Sequence, residues 1–169
     1  MPMKWVTRSF PYVDRTASAW LIKKFIDSEA EFVFINWPDE KLKPEHGTPF
    51  DIKGVELGHK DNKCTFEVIV EKYSIEDPYV HKVAEVVHAA DIKGELEKVL
   101  EAKGIKSLLT GLRFMTKDDY ETLEIGMKIW EALYTYFKIK DLEEKHSEEL
   151  KKMSRMERLR FLKKMVTEG

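Results

Sequence analysis

Imidazole, thiol and carboxylate groups are the side chains that bind divalent metals, and the chain gathers them in Thr48–Phe66, TPFDIKGVELGHKDNKCTF. His59 follows Gly58 in a polar loop, and Cys64 lies a few residues on. Cys64 is expected in the first turn of a helix, where backbone N–H groups and the helix dipole favour a thiolate. That makes it a redox candidate. The competing reading is a small buried apolar residue, the usual state of a free cysteine. Lys63, with Lys60, adds positive charge to the loop and is a candidate contact for an anion.

A second group lies on a helix opened by Pro78. Val80, Val83, Ala84 and Val87 form its apolar stripe, and at about 100° per residue Asp91 projects into that stripe. A carboxylate aimed at a core is costly unless paired, hydrogen-bonded or bound to metal. An early helix end, capping of Ile92–Gly94, or a pair with Arg15 or Arg113 would also satisfy it. His88 shares its face at i, i+3. The expected ligand set is His59, His88 and Asp91, with Glu124 from a later helix or Cys64 completing it. The ion would be a single divalent metal: Zn, Fe or Mn. A di-metal bundle site is disfavoured because Glu56, before His59, lies in a Gly-rich extended stretch. Arg15 is a candidate for holding an oxyanion at a helix N-terminus, with Asp14 beside it as that helix's own N-cap.

The elements that must carry these groups change character along the chain. Trp5–Thr7 reads as a short first strand and Glu31–Ile35 as a second strand buried on both faces, flanking a helix through Ala17, Trp20, Leu21 and Phe25, a βαβ pattern. Phe50–Ile52 and Val55–Leu57 read as short extended pieces hinged at Gly54. From Asp61 the period is helical: one helix started by Asp61 or Asn62, one from Pro78, one across 95–112 interrupted near Gly104, and a long one from Asp118 or Asp119. Gly126 in the long helix would admit close approach of another element. The expectation is an α+β fold, a small N-terminal βαβ-containing sheet packed on a bundle of four or five helices. Lys151–Val166 is a basic amphipathic segment of the kind that binds nucleic acid, an anionic membrane or an acidic partner. The preferred reading is a solvated face on a helix packed on its own domain or on a symmetry mate.

With 169 residues, 43% hydrophobic and 36% charged, the chain suits one folded domain. A net charge of -2 argues against electrostatic nucleic-acid binding by the whole chain. One cysteine suits a reducing cytoplasm, and no segment has the length and apolarity of a signal peptide or membrane span. Dinucleotide, Walker and nucleophile-elbow motifs are absent.

WVTR at 5–8, DRTASAWLIKKFID at 14–27, TPFDIKGVELGHKDNKCTFEVIVEKY at 48–73, VHAAD at 87–91 and LEIGMKIWEALY at 123–134 resemble the C-terminal domain of ChrB-type chromate-resistance proteins. The resemblance runs over Trp5–Phe137, giving a ChrB-C-like domain at 1–140 and a basic helical extension at 141–169. It implies a cytoplasmic role in chromate resistance, as the sensing half of a chromate-responsive regulator or beside a sulfurtransferase partner. Family positions match His59, Cys64, Arg15, His88 and Asp91. The regulators' extra N-terminal half is not in this chain, so nucleic-acid binding is not expected. Expected partners are a small anion or metal and a homo-oligomeric copy. A metal-dependent enzyme on a small substrate, linked to sulfur transfer, is the alternative.

Overall fold

The computed structural model describes residues 3–169. β1 (Lys4–Arg8), α1 (Val13–Leu21) and β2 (Glu31–Ile35) form the expected strand–helix–strand unit. β1 and β2 run parallel, in register from Lys4 opposite Glu31 to Arg8 opposite Ile35. β3 (Thr48–Pro49) pairs parallel on the other side of β1, so the sheet has the order β2-β1-β3. Trp5, Val6 and Thr7 are fully buried, as befits a central parallel strand covered on both faces. Of the two extended pieces expected after β3, only a single bridge between Phe50 and Leu57 forms, around Gly54 at φ +90°.

The helical part is larger than the four or five helices expected. Seven α-helices occur among the described residues: α1, α2 (Thr65–Lys72), α3 (Pro78–Asp91), α4 (Ala102–Met115), α5 (Asp119–Lys145), α6 (Ser147–Leu150) and α7 (Arg155–Glu168). The short α6 was not expected; the basic helix of the tail, α7, starts after Ser154, whose hydroxyl accepts from the Glu157 amide. α7 folds back on α5, and α5 runs without a break across the expected boundary at 140/141. No described helix is long and apolar enough to cross a membrane.

Helix starts follow local chemistry where a capping side chain is present. Asp77 accepts from the Tyr79 and Val80 amides with Pro78 in the first turn, and Asp118 accepts from the Glu121 amide. α2 starts later than expected. Asp61 and Asn62 sit at φ +49° and +65°, a left-handed turn that cannot begin a right-handed helix. Cys64 is therefore the N-cap rather than a first-turn residue.

α1 is buried at every position because it lies between the sheet and the bundle. Trp20 stacks on Phe66 with ring centroids 6.3 Å apart, joining α1 to α2. α1 also meets α5 at Gly126, where an added Cβ would lie 3.0 Å from Thr16 Cγ2 and 3.1 Å from Thr16 Cβ. Thr16 is pinned there, since its Oγ1 accepts from Trp130 Nε1 at 2.8 Å. Gly126→Ala is therefore expected to lower the unfolding free energy by about 1–3 kcal/mol in urea titration through overpacking. In an unconstrained helix the same change would add about 1 kcal/mol, so a stabilised variant would show that this contact yields.

Candidate metal centre

The site lies beyond the carboxyl ends of β1 and β3, where open parallel sheets place their ligands. Five segments converge there. β1 ends in Arg8 and β3 is followed by Asp51. The first turn of α1 supplies Asp14 and Arg15, the loop before α2 supplies His59, and the last residue of α3 is Asp91.

Asp14 caps a helix, but a different one from its own. Its Oδ2 accepts from the Thr65 amide at 2.7 Å and its Oδ1 from the Phe66 amide at 2.9 Å, the first two residues of α2. Ser18 Oγ donates to Oδ1 at 3.3 Å. The N-cap position of α1 is Tyr12, with no side-chain cap bond. With α2's N-terminal field directed at it, a carboxylate is held at full burial.

Three carboxylates crowd one imidazole nitrogen. His59 Nε2 lies 2.9 Å from Asp14 Oδ2, 3.1 Å from Asp91 Oδ2 and 3.5 Å from Asp51 Oδ1. One N–H cannot serve three acceptors. Asp51 is otherwise satisfied, by Thr65 Oγ1 at 2.8 Å, Arg8 Nη2 at 3.2 Å and Arg15 Nε at 3.3 Å. Asp91 is not: its Oδ2 is buried with no hydrogen-bond partner.

These contacts shift the ionisations. Burial pushes the Asp14 carboxyl up to about 6 against the His59 hydrogen bond that lowers it. The hydrogen bond to Asp14, and then the Asp91 carboxylate 3.1 Å away, push the His59 imidazolium up to about 10 from 6.5. For both groups the folded value exceeds the unfolded one. Asp14's contribution is full below about 3.8 and erodes as pH rises through 6, and His59's is full below about 6.5 and is lost as pH rises through 10. Metal-free protein is therefore expected to lose stability between pH 6.5 and 10, measured as a falling urea midpoint. His59→Gln should flatten that slope, and an unchanged slope would place the alkaline titration elsewhere.

Of the expected ligands, the structure brings His59 and Asp91 together and leaves His88 and Glu124 outside. His88 Nδ1 lies 2.6 Å from Glu67 Oε1. The i, i+3 spacing put His88 on Asp91's side of α3, but Glu67, in the first turn of α2, reaches it first. Glu124 is exposed on α5, 3.9 Å from Lys128. Lys63 pairs with Glu71 and lines a neighbouring groove with Glu56 and Lys72. Arg15 is spent internally: besides Asp51, its Nη1 donates to the Arg8 and Ser9 carbonyls at 2.7 and 2.6 Å. The guanidinium that does reach a cleft is Arg8, which with Lys53, Gly54 and His59 lines an opening of about 250 Å³ over Asp51.

Cys64 departs from the thiolate expectation. Its Sγ donates to Glu67 Oε1 at 3.2 Å, and the same oxygen accepts from the Cys64 amide at 3.1 Å. Full burial, with Asp14 and Glu67 nearby, drives the thiol far above its usual range. A helix N-terminus lowers a thiol's pKa only when the thiol is the anion bound there, and here carboxylates occupy that place. Burial among carboxylates thus works against the thiolate on which a redox role depends.

Sequence reasoning missed Asp14, Asp51 and Arg8 as site residues. Asp14 carried a signal, an acid at a helix start, but the signal read as local capping.

Ligand atoms of Asp14, His59 and Asp91 lie within 4.8 Å of one another. A cation among them would give Asp91 Oδ2 the partner it lacks and replace the single shared proton. Two carboxylate oxygens and one imidazole nitrogen suit a hard to borderline divalent ion, and three protein donors would leave it coordination positions for other ligands.

Comparison with known proteins agrees with the likeness seen in the residues. A family model described as "ChrB, C-terminal domain" matches residues 5–137. Protein ChrB of Cupriavidus metallidurans is 32% identical over 135 residues, which cover 79% of this chain and 40% of that relative. The chain thus spans well under half of that protein's length. No solved structure matches.

Proposed function

The chain belongs to the ChrB C-terminal domain family, and on that premise we propose that it serves chromate resistance as a metal-dependent binding domain. Asp14, His59 and Asp91 hold one divalent ion of the Zn, Fe or Mn class, and the adjoining cleft takes a small oxyanion. The observation that carries this reading is Asp91 Oδ2, a buried oxygen that makes no hydrogen bond and has only the His59 Nε2 ion pair at 3.1 Å to offset its charge. The bound ion would supply positive charge to an anion. The chain's own groups do the rest. Arg8, 41% exposed in its side chain, and Lys53 present charge at the mouth, while Asp51 holds Arg8 in place. His59, 48% exposed, forms the boundary between the buried carboxylates and solvent.

A domain that binds and releases an oxyanion this way fits a sensing or detoxifying role in the cytoplasm. The second reading is an enzyme acting on a small anionic substrate, favoured by the open side of a three-donor centre. Elemental analysis after dialysis against each metal tests the premise common to both. One ion per wild-type chain and none on Asp91→Asn supports it; equal uptake by the two, or none by either, overturns it.

A further inference from the structure

α4 has two faces of opposite use. Ala102, Ile105, Leu109 and Leu112 pack inward. The outer face carries Gly104, Ser107, Leu108, Gly111, Phe114 and Met115, all exposed, with Leu108 at 61%, Phe114 at 79% and Met115 at 75%. Lys103, paired to Glu97 at 3.6 Å, stands at the margin on the same side of the helix as Phe114, but the middle of the face carries no charge, although 36% of the chain is charged.

The two glycines sharpen the problem. Both lie inside the helix, and a Cβ added at either would meet nothing within 4 Å. No close approach within the chain calls for Gly104 in the first turn or Gly111 in the interior, yet Gly111 costs about 1 kcal/mol relative to alanine in a helix interior. A close approach from outside would call for them.

Gly104, Leu108, Gly111 and Met115 follow one seam of the helix, at alternating steps of four and three. From the N-terminal end the seam reads small, large, small, large. From the other end it reads large, small, large, small. A second α4 laid antiparallel, about a two-fold axis between Leu109 and Thr110, seats Leu108 over the partner's Gly111. It seats Met115 over the partner's Gly104. A parallel pair in register would set glycine on glycine and leucine on leucine. The seam is thus complementary to itself in one orientation, which is what a two-fold contact between identical chains requires. Antiparallel helix dipoles add to it. With Leu100, 92% exposed just before the helix, these side chains offer roughly 600 Å² of apolar area, on the order of the ~800 Å² per partner of a stable interface.

We infer that the outer face of α4 is an interface between two copies of this chain, packed antiparallel with Leu108 and Met115 of each filling the glycine gaps of the other. This is independent of the metal centre. Sedimentation equilibrium of the full chain is expected to show a dimer. Gly111→Leu fills the gap with a side chain and should weaken association at least ~100-fold, while the thermal midpoint of the separated chain does not fall, because a side chain there has open space. Exchanging the pair, Leu108→Gly with Gly111→Leu, should restore the dimer. A Leu108→Cys chain mixed with a Gly111→Cys chain should form the mixed disulfide on oxidation, with Cys64 buried out of reach. A wild-type monomer, a dimer that survives Gly111→Leu, or disulfides between like variants alone would each overturn the inference. Binding of some other protein to α4 in place of a second copy would do the same.

Discussion

Replacing Asp14 with alanine should cost the fold about 3–5 kcal/mol, read as the shift of its urea unfolding curve. The side chain is 3% exposed and answers the two leading amides of α2, the Ser18 hydroxyl and His59. Without it the Thr65 and Phe66 amides are buried with no acceptor, at about 1–3 kcal/mol each. His59 also keeps fewer counter-charges. Domains of this size are stable by only about 5–15 kcal/mol, so the variant should be partly unfolded near physiological temperature. Asparagine should fare little better, because its amide nitrogen would face one of the two N–H groups it must accept from. A loss below about 1 kcal/mol would mean that α2 finds another cap.

Asp91→Asn should separate the site from the fold. Asp91 stands at the C-terminal end of α3, where the helix dipole opposes a negative charge, and its Oδ2 makes no hydrogen bond. Neutralising it should leave metal-free stability within about 1 kcal/mol of wild type, with a gain as readily as a loss. Metal affinity should fall by at least about 100-fold, the upper range for losing even an indirect support of a metal site. The two effects are separable in one thermal-shift experiment. Ion at 100 times its Kd stabilises the wild-type chain by about 2.7 kcal/mol, and Asp91→Asn should show no such gain at the same concentration. If the variant is strongly destabilised without metal, Asp91 is a structural partner of His59 and the centre is an ion-pair cluster.

Together these two aspartates show how the site is built. Asp14 is held by backbone amides whether or not an ion is present, so it is preorganised. Asp91 is placed by the end of a helix and left unsatisfied. His59 swings between them from a loop turned by left-handed residues, including Asp51 at φ +52°. A proton shared among three carboxylates is a workable but incomplete way to hold such charges together.

Much of this was readable in the sequence because it depends on neighbours in the chain. The apolar runs at Trp5–Thr7 and Glu31–Ile35, the Asp77–Pro78 start, the Asp118 cap and the inward turn of Asp91 follow from periodicity and local hydrogen bonding. So does the family likeness, which rests on ordered motifs. The later start of α2 was not readable, because left-handed backbone at Asp61 and Asn62 is one of several conformations those residues allow.

The sequence alone thus determined the parallel strand–helix–strand unit, the starts of α3 and α5 and an acid on α3 in need of a partner. Only tertiary structure decided the partners. Asp14 reaches α2 across 51 positions of chain, His88 goes to Glu67, and Arg15 turns to Asp51 and two carbonyls. The physical reason is one of range. Helix and strand periods are set by bonds over a few residues, whereas a side chain's hydrogen-bonding partner is chosen by whichever distant segment packing brings within about 3 Å.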